Sequence, residues 1–463
     1  MWQVFFIVFV IFNAVHCFIN PYRNIEEQPI TDDPGPALYL TPLIEQGKIK
    51  EAQNASQINF NGFMNVTSYS GYLTVDKRYN SNLFFWFFPS FSDYKKDPVV
   101  LWLQGGPGAS SLIGLFTENG PFKPKDEKHI NLRKYNWVHG HSLIYIDNPV
   151  GTGYSFTNGG YAQNETAVGL NLYRALLQFF QLFPELQEND FFVTGESYAG
   201  KYVPAVSYTI YKNNLSAKQK INLKGLAIGN GLCDPVNQLK YSDYLYQLGL
   251  IDINAQKMLH DIENRGVNLI KNQKWLEAFK LFDNLIDGDL NNGTSVFKNL
   301  TGFDNYYNYL VSHDPDAEMQ AMGKYIQSTE VRHAIHVGNN TFNGVAQTVE
   351  VNLMLDIMQS VAPWISELLN HYRVLIYNGQ LDIIVAYPLT LNFLQNLKFK
   401  NADEYKVAER HIWKVGDDIA GYVKYAGNLT EILVRNAGHM VPGDQPIWAY
   451  DLITRFTRNK PYY

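Results

Sequence analysis

Short apolar runs, each bounded by glycine, proline or asparagine, recur along the chain and constrain its fold more than any other feature. Their lengths and their content of β-branched and aromatic residues are typical of strands, several of them buried on both faces. Helix-like stretches such as residues 167–183 and 364–371 lie between them. This alternation predicts an α/β fold with a mostly parallel, twisted sheet covered by helices. The runs predicted as strands are 83–89, 98–105, 142–148, 190–195, 222–229, 373–379 and 431–435.

Residues 234–350 interrupt this alternation. They are rich in Asn, Asp, Lys and Tyr, have helical periodicity at 255–262 and 275–286, and contain few strand candidates. We interpret them as an inserted, mainly helical lid between two halves of the sheet. A separate domain is the alternative, but the strand pattern resumes at Arg373, which favours an insertion into one domain spanning 18–463.

Composition excludes some classes of protein. The chain has 463 residues, of which 46% are hydrophobic and 18% charged, so it can bury a large core. The formal net charge of −6 and the lack of a basic stripe with interleaved aromatics argue against a nucleic-acid partner.

The N-terminal segment MWQVFFIVFVIFNAVHC is almost entirely apolar, although it lacks a basic residue before its apolar core. It predicts a secretory signal peptide over residues 1–17, cleaved near Cys17. A membrane anchor is the alternative, but the apolar core from 2 to 12 is short for a bilayer. Later in the chain no run approaches about 18 uninterrupted apolar residues, so we expect no membrane attachment after signal removal.

The glycosylation triplets and the cysteine content are informative about whether the protein is exported. Removal of the signal leaves Cys233 as the one cysteine, so no internal disulfide is possible. We expect Cys233 to be a small buried residue. The N-x-[ST] triplet is short enough to arise by chance, but its number favours export. These triplets begin at Asn54, Asn65, Asn164, Asn214, Asn292, Asn299, Asn339 and Asn428.

The sharpest local signal is an apolar strand that runs into a serine flanked by small residues, in the segment FFVTGESYAG. A nucleophile elbow requires this pattern, because small residues flank a strained turn that holds the serine hydroxyl above the sheet. The pattern predicts Ser197 as the nucleophile, with Ala199 at the second small position.

A second signal lies upstream, where the segment LQGGPGASS follows a predicted strand. A glycine-rich turn exposes backbone N–H groups at the carboxyl edge of the sheet. Such a loop and the residue after the nucleophile supply the two donors of an oxyanion hole. These donors are predicted to be the amides of Gly106 and Tyr198. An ordinary strand-to-helix turn is the alternative.

The general base and its orienting carboxylate are expected later in the chain, in the order Ser, Asp, His. Asp382 and His439 each follow a predicted strand, so both should project at the same sheet edge as Ser197. Asp147 and Asp444 compete for the orienting role. Of these candidates, Asp382 alone sits at a strand end between the nucleophile and the histidine.

Histidines elsewhere carry less information, because the chain has 11 of them. His333 and His336 lie on a helix-like stretch and could bind a metal, but a partly exposed helix face is the favoured interpretation. We expect neither a metal ion nor a cofactor.

Several segments are shared with one known family: LQGGPGASS, ENGPF, YIDNPVGTGYSF, GESYAGKYVP, GNGL, NGQLD and AGHMVPGDQP. Together they resemble the serine carboxypeptidase family, whose members have the α/β-hydrolase fold. The resemblance runs from about residue 60 to the C-terminus and is weakest through the predicted lid. LQGGPGAS and the near absence of cysteine are most similar to the vitellogenic carboxypeptidase-like branch.

The resemblance implies a catalytic triad of Ser197, Asp382 and His439, with the oxyanion hole at Gly106 and Tyr198. It implies hydrolysis of the C-terminal peptide bond of peptides and proteins through an acyl-enzyme, best at acidic pH, in a secreted or lysosomal enzyme. An acyltransferase of the same fold and an inactive binding or storage protein are the alternatives. The sequence indicates no oligomeric state.

The resemblance also implies a site for the substrate's terminal carboxylate, formed by Gln104, Glu118 and Glu196. Two neighbouring carboxyls cannot both ionise cheaply, so one stays protonated at acidic pH and can donate a hydrogen bond. Met440 is expected to line the pocket of the leaving residue.

Two positions depart from the family pattern. Gln104 stands where the family commonly has Asn, and Ala109 stands where it commonly has Cys. Gln keeps the amide donor but is longer by one methylene, whereas Ala109 removes a disulfide partner.

Overall fold

The strands and helices are described by a computed structural model for residues 32–288, 290, 294–313 and 317–463. The predicted signal peptide, residues 1–17, and the triplet at Asn292 lie outside the described residues. The strands are β1 (Tyr69–Asp76), β2 (Ser81–Phe88), β3 (Val99–Leu103), β4 (Phe122–Pro124), β5 (Ile130–Leu132), β6 (Ser142–Ile146), β7 (Phe191–Glu196), β8 (Leu223–Gly229), β9 (Arg373–Gly379), β10 (His411–Val415), β11 (Asp418–Ala426) and β12 (Leu429–Val434).

Helices lie between and around these strands. They are α1 (Thr41–Glu45), α2 (Ile49–Ser56), α3 (Glu165–Leu182), α4 (Ala199–Asn214), α5 (Tyr241–Gln247), α6 (Ile253–Lys271), α7 (Trp275–Phe282), α8 (Val296–Thr301), α9 (Ala317–Gln327), α10 (Thr329–Ala334), α11 (Gln347–Leu353), α12 (Ala362–Leu368), α13 (Tyr387–Asn396), α14 (Ala402–Val407), α15 (Val441–Asp444) and α16 (Pro446–Thr457). Two π-helical turns occur at Gly114–Glu118 and Asp283–Asp287. Within the described ranges, no helix is both long enough and apolar enough to cross a membrane.

One large sheet has the strand order β1-β2-β6-β3-β7-β8-β9-β12-β11-β10. The strands from β6 to β12 in this order run parallel. The pairs at both edges are antiparallel. Strands β4 and β5 form a separate hairpin. The predicted strand runs correspond to β2, β3, β6, β7, β8, β9 and β12, which confirms the mostly parallel α/β architecture.

The central strands are continuous apolar runs because both faces of the sheet are covered. Every residue of β7 is buried, and its neighbours in sequence face opposite layers. The Phe191 ring meets Phe180 of α3 edge-on at 5.4 Å, whereas the Phe192 ring meets Phe456 of α16 at 5.7 Å. Such double burial removes the polar alternation of a half-exposed strand.

The interval predicted as a lid, residues 234–350, lies between β8 and β9. Its described part contains helices α5 to α10 and the start of α11, without a strand. Helix α6 includes the predicted periodicity at 255–262, and α7 with the π-helical turn after it covers 275–286. The chain therefore leaves the sheet after β8 and returns to the neighbouring position at β9.

Candidate active site

Ser197 lies at a sharp turn between β7 and α4 and is the one residue of that turn with a left-handed backbone, at φ 65°. Its N–H donates to the Gly229 carbonyl at 3.0 Å, and its carbonyl accepts the Gly200 N–H at 2.9 Å. A Cβ on Gly200 would lie 2.7 Å from the Leu232 nitrogen, so only glycine fits there. The turn has the backbone geometry of a nucleophile elbow, with a half-buried serine at its tip.

The glycine-rich loop after β3 packs directly against this elbow. A Cβ on Gly105 would lie 2.4 Å from the Tyr198 nitrogen and 2.7 Å from the Ser197 Cβ. Gly106 has φ 106°, and a Cβ there would lie 2.6 Å from the Ala109 nitrogen. Glycine is required at both positions, and the loop backbone is thereby brought beside the predicted nucleophile.

His439 and Asp382 form a buried hydrogen-bonded pair. The His439 Nδ1 lies 2.9 Å from the Asp382 Oδ2, and both side chains are fully buried. A carboxylate at Nδ1 holds the proton on that nitrogen, which leaves Nε2 as an acceptor. Nε2 has no hydrogen-bond partner within the described residues. The imidazole is therefore arranged as a base.

The two rival aspartates bond elsewhere. Asp444 Oδ2 accepts the backbone N–H of Gly438 at 2.6 Å. Asp147 Oδ1 accepts the Ser110 hydroxyl at 2.5 Å. Of the three candidates, Asp382 is the one whose carboxylate bonds to the imidazole of His439.

Asn230 supports this pair and was not predicted from the sequence. Its Nδ2 donates to the Asp382 Oδ2 at 2.7 Å, and its Oδ1 accepts the Gly379 N–H at 3.1 Å. Asn230 is fully buried, with a left-handed backbone at φ 43°. The segment GNGL contained the signal, but nothing local indicated a partner 152 residues away.

Tyr307, from the predicted lid, also contacts the imidazole. Its ring stacks on His439 with centroids 4.8 Å apart and an interplanar angle of 21°. Its carbonyl accepts the His439 backbone N–H at 2.7 Å. The segment between β8 and β9 thus helps to fix the orientation of this histidine.

A cluster of two carboxyls and an amide lies next to the elbow. The Gln104 Nε2 donates to Glu118 Oε1 and to Glu196 Oε1, both at 3.1 Å. Trp102 Nε1 donates to the Gln104 Oε1 at 2.9 Å and so fixes the orientation of the amide. Both glutamates are fully buried, and the Oε2 of each has no hydrogen-bond partner within the described residues.

Burial controls the ionisation of the two carboxyls. It raises the pKa of Glu118 to about 7, while hydrogen bonds with Glu196 and Gln104 oppose the rise. Burial, and after it the charge of Glu118, raise the pKa of Glu196 well above its usual value. Both groups therefore stay protonated in acid, as expected for two carboxyls that share one dry site.

Met440 lies beside this cluster and next to the imidazole in sequence. A Cβ on Gly443 would lie 3.8 Å from the Glu118 Cγ and 4.0 Å from the Met440 Cβ. Met440 is half-buried. Met440 and Glu118 therefore flank the same glycine.

The two histidines considered as metal ligands form hydrogen bonds outside this site. His333 Nδ1 lies 2.8 Å from the Pro34 carbonyl oxygen, and His336 Nδ1 lies 3.1 Å from the Ser70 hydroxyl. No group of three or more metal-ligating side chains occurs in the described residues. Cys233 is buried, and its thiol donates to the Gly200 carbonyl at 3.3 Å.

The glycosylation triplets differ in their surroundings. Asn214 is half-buried, and its amide bonds to the backbone of Ile221 at 2.8 and 3.1 Å. The other described triplets have exposed asparagines, namely Asn54, Asn65, Asn164, Asn299, Asn339 and Asn428.

A mostly parallel sheet with a serine elbow after one strand, and an aspartate and a histidine after later strands, defines the α/β-hydrolase class. A family model described as serine carboxypeptidase matches residues 57–459. The chain therefore belongs to the serine carboxypeptidase family, which hydrolyses the C-terminal peptide bond of peptides. This confirms the predicted family, fold and enzyme class.

Individual relatives cover nearly the whole chain. A venom serine carboxypeptidase of Apis mellifera is 59% identical and covers 96% of both chains. A vitellogenic carboxypeptidase of Aedes aegypti is 48% identical over 95% of this chain and 94% of its own. The probable serine carboxypeptidase CPVL of Homo sapiens is 47% identical over 96% of this chain and 94% of its own. The last two confirm the resemblance to the vitellogenic branch.

One solved structure is also similar. It is Kex1Δp, a prohormone-processing carboxypeptidase from Saccharomyces cerevisiae, with a TM-score of 0.76 and 25% identity. The match covers 88% of this chain and 96% of that one.

Proposed function

We propose that this serine carboxypeptidase uses Ser197 as its nucleophile, His439 as its general base and Asp382 as the carboxylate that orients the base. The amides of Gly106 and Tyr198 are the donors of the oxyanion hole. The observation that carries these roles is the buried hydrogen bond of 2.9 Å between His439 Nδ1 and Asp382 Oδ2, which leaves Nε2 as the acceptor. The buried cluster of carboxyls beside the elbow supports action at a C-terminus, because an enzyme acting on internal peptide bonds has no use for a carboxylate-binding site there.

The reaction has two halves. In the first, His439 Nε2 accepts the proton of the Ser197 hydroxyl while Oγ attacks the carbonyl carbon of the last peptide bond. The oxyanion accepts hydrogen bonds from the two amides, each of which contributes about 3 kcal/mol. The imidazolium then protonates the leaving amino group. In the second half, water activated by His439 hydrolyses the acyl-enzyme.

Gln104, Glu118 and Glu196 recognise the terminal carboxylate of the substrate. The Oε2 atoms of the two glutamates are the positions that a protonated carboxyl can use to donate to an anion. Trp102 fixes the Gln104 amide so that its Nε2 points at the pair. The longer side chain at position 104 therefore still places an amide against the two carboxyls and holds them together.

The KM for a substrate with a free C-terminus is expected to rise with pH. Because the pKa of Glu118 is raised to about 7, both carboxyls are protonated below this pH. Above it the pair bears a negative charge and its remaining proton is shared internally, so the substrate loses a donor and meets repulsion. Losing one charge-assisted hydrogen bond corresponds to roughly a tenfold rise. Steady-state kinetics on an N-blocked dipeptide from about pH 5 to about pH 8 measure this.

Two variants sharpen that measurement. Glu118→Gln cannot ionise, so its KM should vary less with pH than that of the wild type. Glu431→Gln is the matched control, because Glu431 is also buried and hydrogen-bonded but lies on β12 with Tyr387 and Tyr405 as partners. A wild-type KM that stays constant over the whole range would refute the role of the pair.

Recognition of the carboxylate has its own test. We expect the enzyme to release the terminal amino acid from an N-blocked dipeptide at about pH 5. The same dipeptide with an amidated C-terminus should be cleaved far less efficiently. Equal cleavage of both would contradict the proposal. Labelling of Ser197 by a fluorophosphonate without release from any peptide would favour the acyltransferase alternative.

Asn230→Ala is expected to lower kcat about 10-fold to 100-fold and to leave KM unchanged. The variant removes the donor at 2.7 Å from Asp382, so the Asp–His pair loses part of its alignment, while the carboxyl cluster is untouched. Asn82→Ala is the control, since Asn82 is fully buried and its amide bonds to the Asn80 carbonyl in another part of the sheet. Equal kcat values for the two variants would remove Asn230 from the mechanism.

The remaining assignments concern the surroundings of the site. We propose that Met440 lines the pocket for the leaving residue, and that residues 234–350 form a lid over the site. The stack of Tyr307 on His439 and the position of Met440 beside Glu118 support these assignments.

We further propose that the protein enters the secretory pathway through the signal at residues 1–17 and is secreted or lysosomal. The exposed asparagines of six triplets support glycosylation at those sites. Asn214 is the least favourable acceptor, because it is half-buried and both its amide nitrogen and its amide oxygen bond to the Ile221 backbone.

A further inference from the structure

Asp147 follows β6 and holds the glycine-rich loop that precedes the elbow. This segment, residues 104–111, is called the oxyanion loop below. The Asp147 Oδ1 accepts the Ser110 hydroxyl at 2.5 Å and the Ser111 backbone N–H at 3.1 Å. Its Oδ2 accepts the Tyr154 N–H at 2.8 Å. One fully buried carboxylate therefore joins two neighbouring segments of the chain at the sheet edge.

The space around this carboxylate is shaped for it. Gly153 has φ 55°, and a Cβ at this position would lie 2.0 Å from the Asp147 Oδ2. A side chain at 153 would therefore displace the carboxylate. A buried acidic group is costly unless donors surround it, and here two donors come from the oxyanion loop and a third from the Tyr154 backbone.

Ser111 carries the constraint on to the start of the loop. Its hydroxyl donates to the Ile146 carbonyl at 2.6 Å and accepts the Gln104 N–H at 3.2 Å. Inside the loop, the Ala109 N–H donates to the Gly105 carbonyl at 3.0 Å. The two ends of the oxyanion loop are thus tied to each other and to the end of β6.

The opposite side of the loop is bonded to the end of the predicted lid. The Ser110 N–H donates to the Gly344 carbonyl at 2.9 Å, and the Ala346 N–H donates to the Gly108 carbonyl at 2.8 Å. Glycine backbones have little conformational preference of their own. The direction of the amides in this loop must therefore come from these contacts.

We propose that Asp147 is a positioning residue of the oxyanion hole. Asp147 holds Ser110 and Ser111 and thereby fixes the direction of the Gly106 amide toward the developing oxyanion. Asp147 itself does not contact the oxyanion. Donors of this kind accelerate the reaction only when they are already aligned before charge develops. The proposal rests on the proposed function, in which Gly106 supplies one of the two donors.

Ser110→Ala is the primary test, because it removes very little volume and two hydrogen bonds, the one to Asp147 and the one that the Leu112 N–H donates to the Ser110 hydroxyl at 3.1 Å. We expect kcat to fall about tenfold with KM within about twofold of the wild type, since a small displacement of a catalytic group has effects of this order. The control is Ser70→Ala, which deletes an equally buried hydroxyl, 2.7 Å from the Ile335 carbonyl and on β1. Equal thermal stability of the two variants with a loss of kcat only in Ser110→Ala supports the proposal.

Asp147→Ala and the double variant with both Ser110→Ala and Asp147→Ala complete a double-mutant cycle. Once the carboxylate is gone, the Ser110 hydroxyl has lost its acceptor, so the double variant should be no slower than Asp147→Ala alone. Losses that multiply instead would overturn the proposal. If Asp147→Ala does not fold, the comparison of Ser110→Ala with Ser70→Ala decides. Equal kcat values for these two variants would overturn the proposal.

A second readout reports on the oxyanion hole directly. A peptide aldehyde forms a tetrahedral adduct with Ser197, so its affinity should fall in Ser110→Ala by the same factor as kcat. Binding of the released amino acid, whose carboxylate contacts the cluster of Gln104, Glu118 and Glu196 instead of the oxyanion hole, should not change. An unchanged aldehyde affinity contradicts the proposal.

Failure of the proposed function would look different. In that case the wild-type enzyme releases no amino acid, but the rate of Ser197 labelling by a fluorophosphonate can still be compared. Slower labelling of Ser110→Ala than of Ser70→Ala would support the role of Asp147 as a positioning residue, whereas equal labelling rates would overturn it.

Discussion

Replacing Ser197 by alanine is expected to lower kcat about a millionfold, as removal of the nucleophile does in enzymes with an acyl-serine intermediate. The loss arises because the covalent intermediate cannot form, and His439 then has no hydroxyl to deprotonate. The oxyanion loop and the carboxyl cluster stay intact, so some acceleration over water should remain. Release of the terminal amino acid at about pH 5, followed over long incubations, measures the change.

Ser207→Ala is the matched control for this prediction. Ser207 is fully buried on the same helix, α4, and its hydroxyl has no partner within the described residues. The activity of Ser207→Ala should stay close to that of the wild type. An active Ser197→Ala variant would require another nucleophile, and Cys233 is a poor candidate because burial raises the pKa of its thiol far above the usual value.

Substrate binding should survive in the same variant. Gln104, Glu118 and Glu196 do not depend on the Ser197 hydroxyl for their hydrogen bonds. Ser197→Ala should therefore still bind an N-blocked dipeptide, with a Kd of the order of the wild-type KM for the same dipeptide. Loss of both binding and turnover would indicate a disturbed elbow instead of a missing nucleophile.

The central sheet was predictable because its strands are buried on both faces. Continuous apolar runs such as β3 and β7 differ from their surroundings, and their order along the chain implied parallel pairing. The edge strands β1 and β10, and β11 next to β10, were not predicted. In β11 buried and half-buried residues are mixed, because the pairing with β10 extends toward the exposed edge of the sheet, and this weakens the hydrophobic signal.

The residues of the candidate site could be proposed from the sequence where their pattern is local. Ser197 and Gly106 lie in short segments whose residue types are dictated by a tight turn, so their pattern can be recognised. The partners of Asp382 and Asp147 depend on contacts between distant segments. Asn230 was therefore missed, and Asp147 was considered only as a rival for the orienting role, although it bonds to the oxyanion loop.

Asp382→Asn is expected to lower kcat about 10⁴-fold with little change in KM, since this substitution removes the charge and disturbs the tautomer of the imidazole. The structure gives a specific reason. Asp382 Oδ2 accepts hydrogen bonds from both His439 Nδ1 and Asn230 Nδ2. An asparagine with its oxygen at this position keeps both contacts but cannot stabilise the imidazolium by charge.

The alternative orientation of the introduced asparagine is worse. Its NH2 group would then face the Asn230 amide and would favour the imidazole tautomer that carries its proton on Nε2, which cannot accept the Ser197 proton. Asp283→Asn is the control, since Asp283 is a buried aspartate of the predicted lid whose Oδ1 accepts the Leu290 N–H at 3.3 Å. Kinetics of both variants at about pH 5 and about pH 8 test the prediction. A kcat for Asp382→Asn within tenfold of the wild type would show that another group orients the base, and Asn230→Ala, which acts through the same oxygen, should then also have no effect.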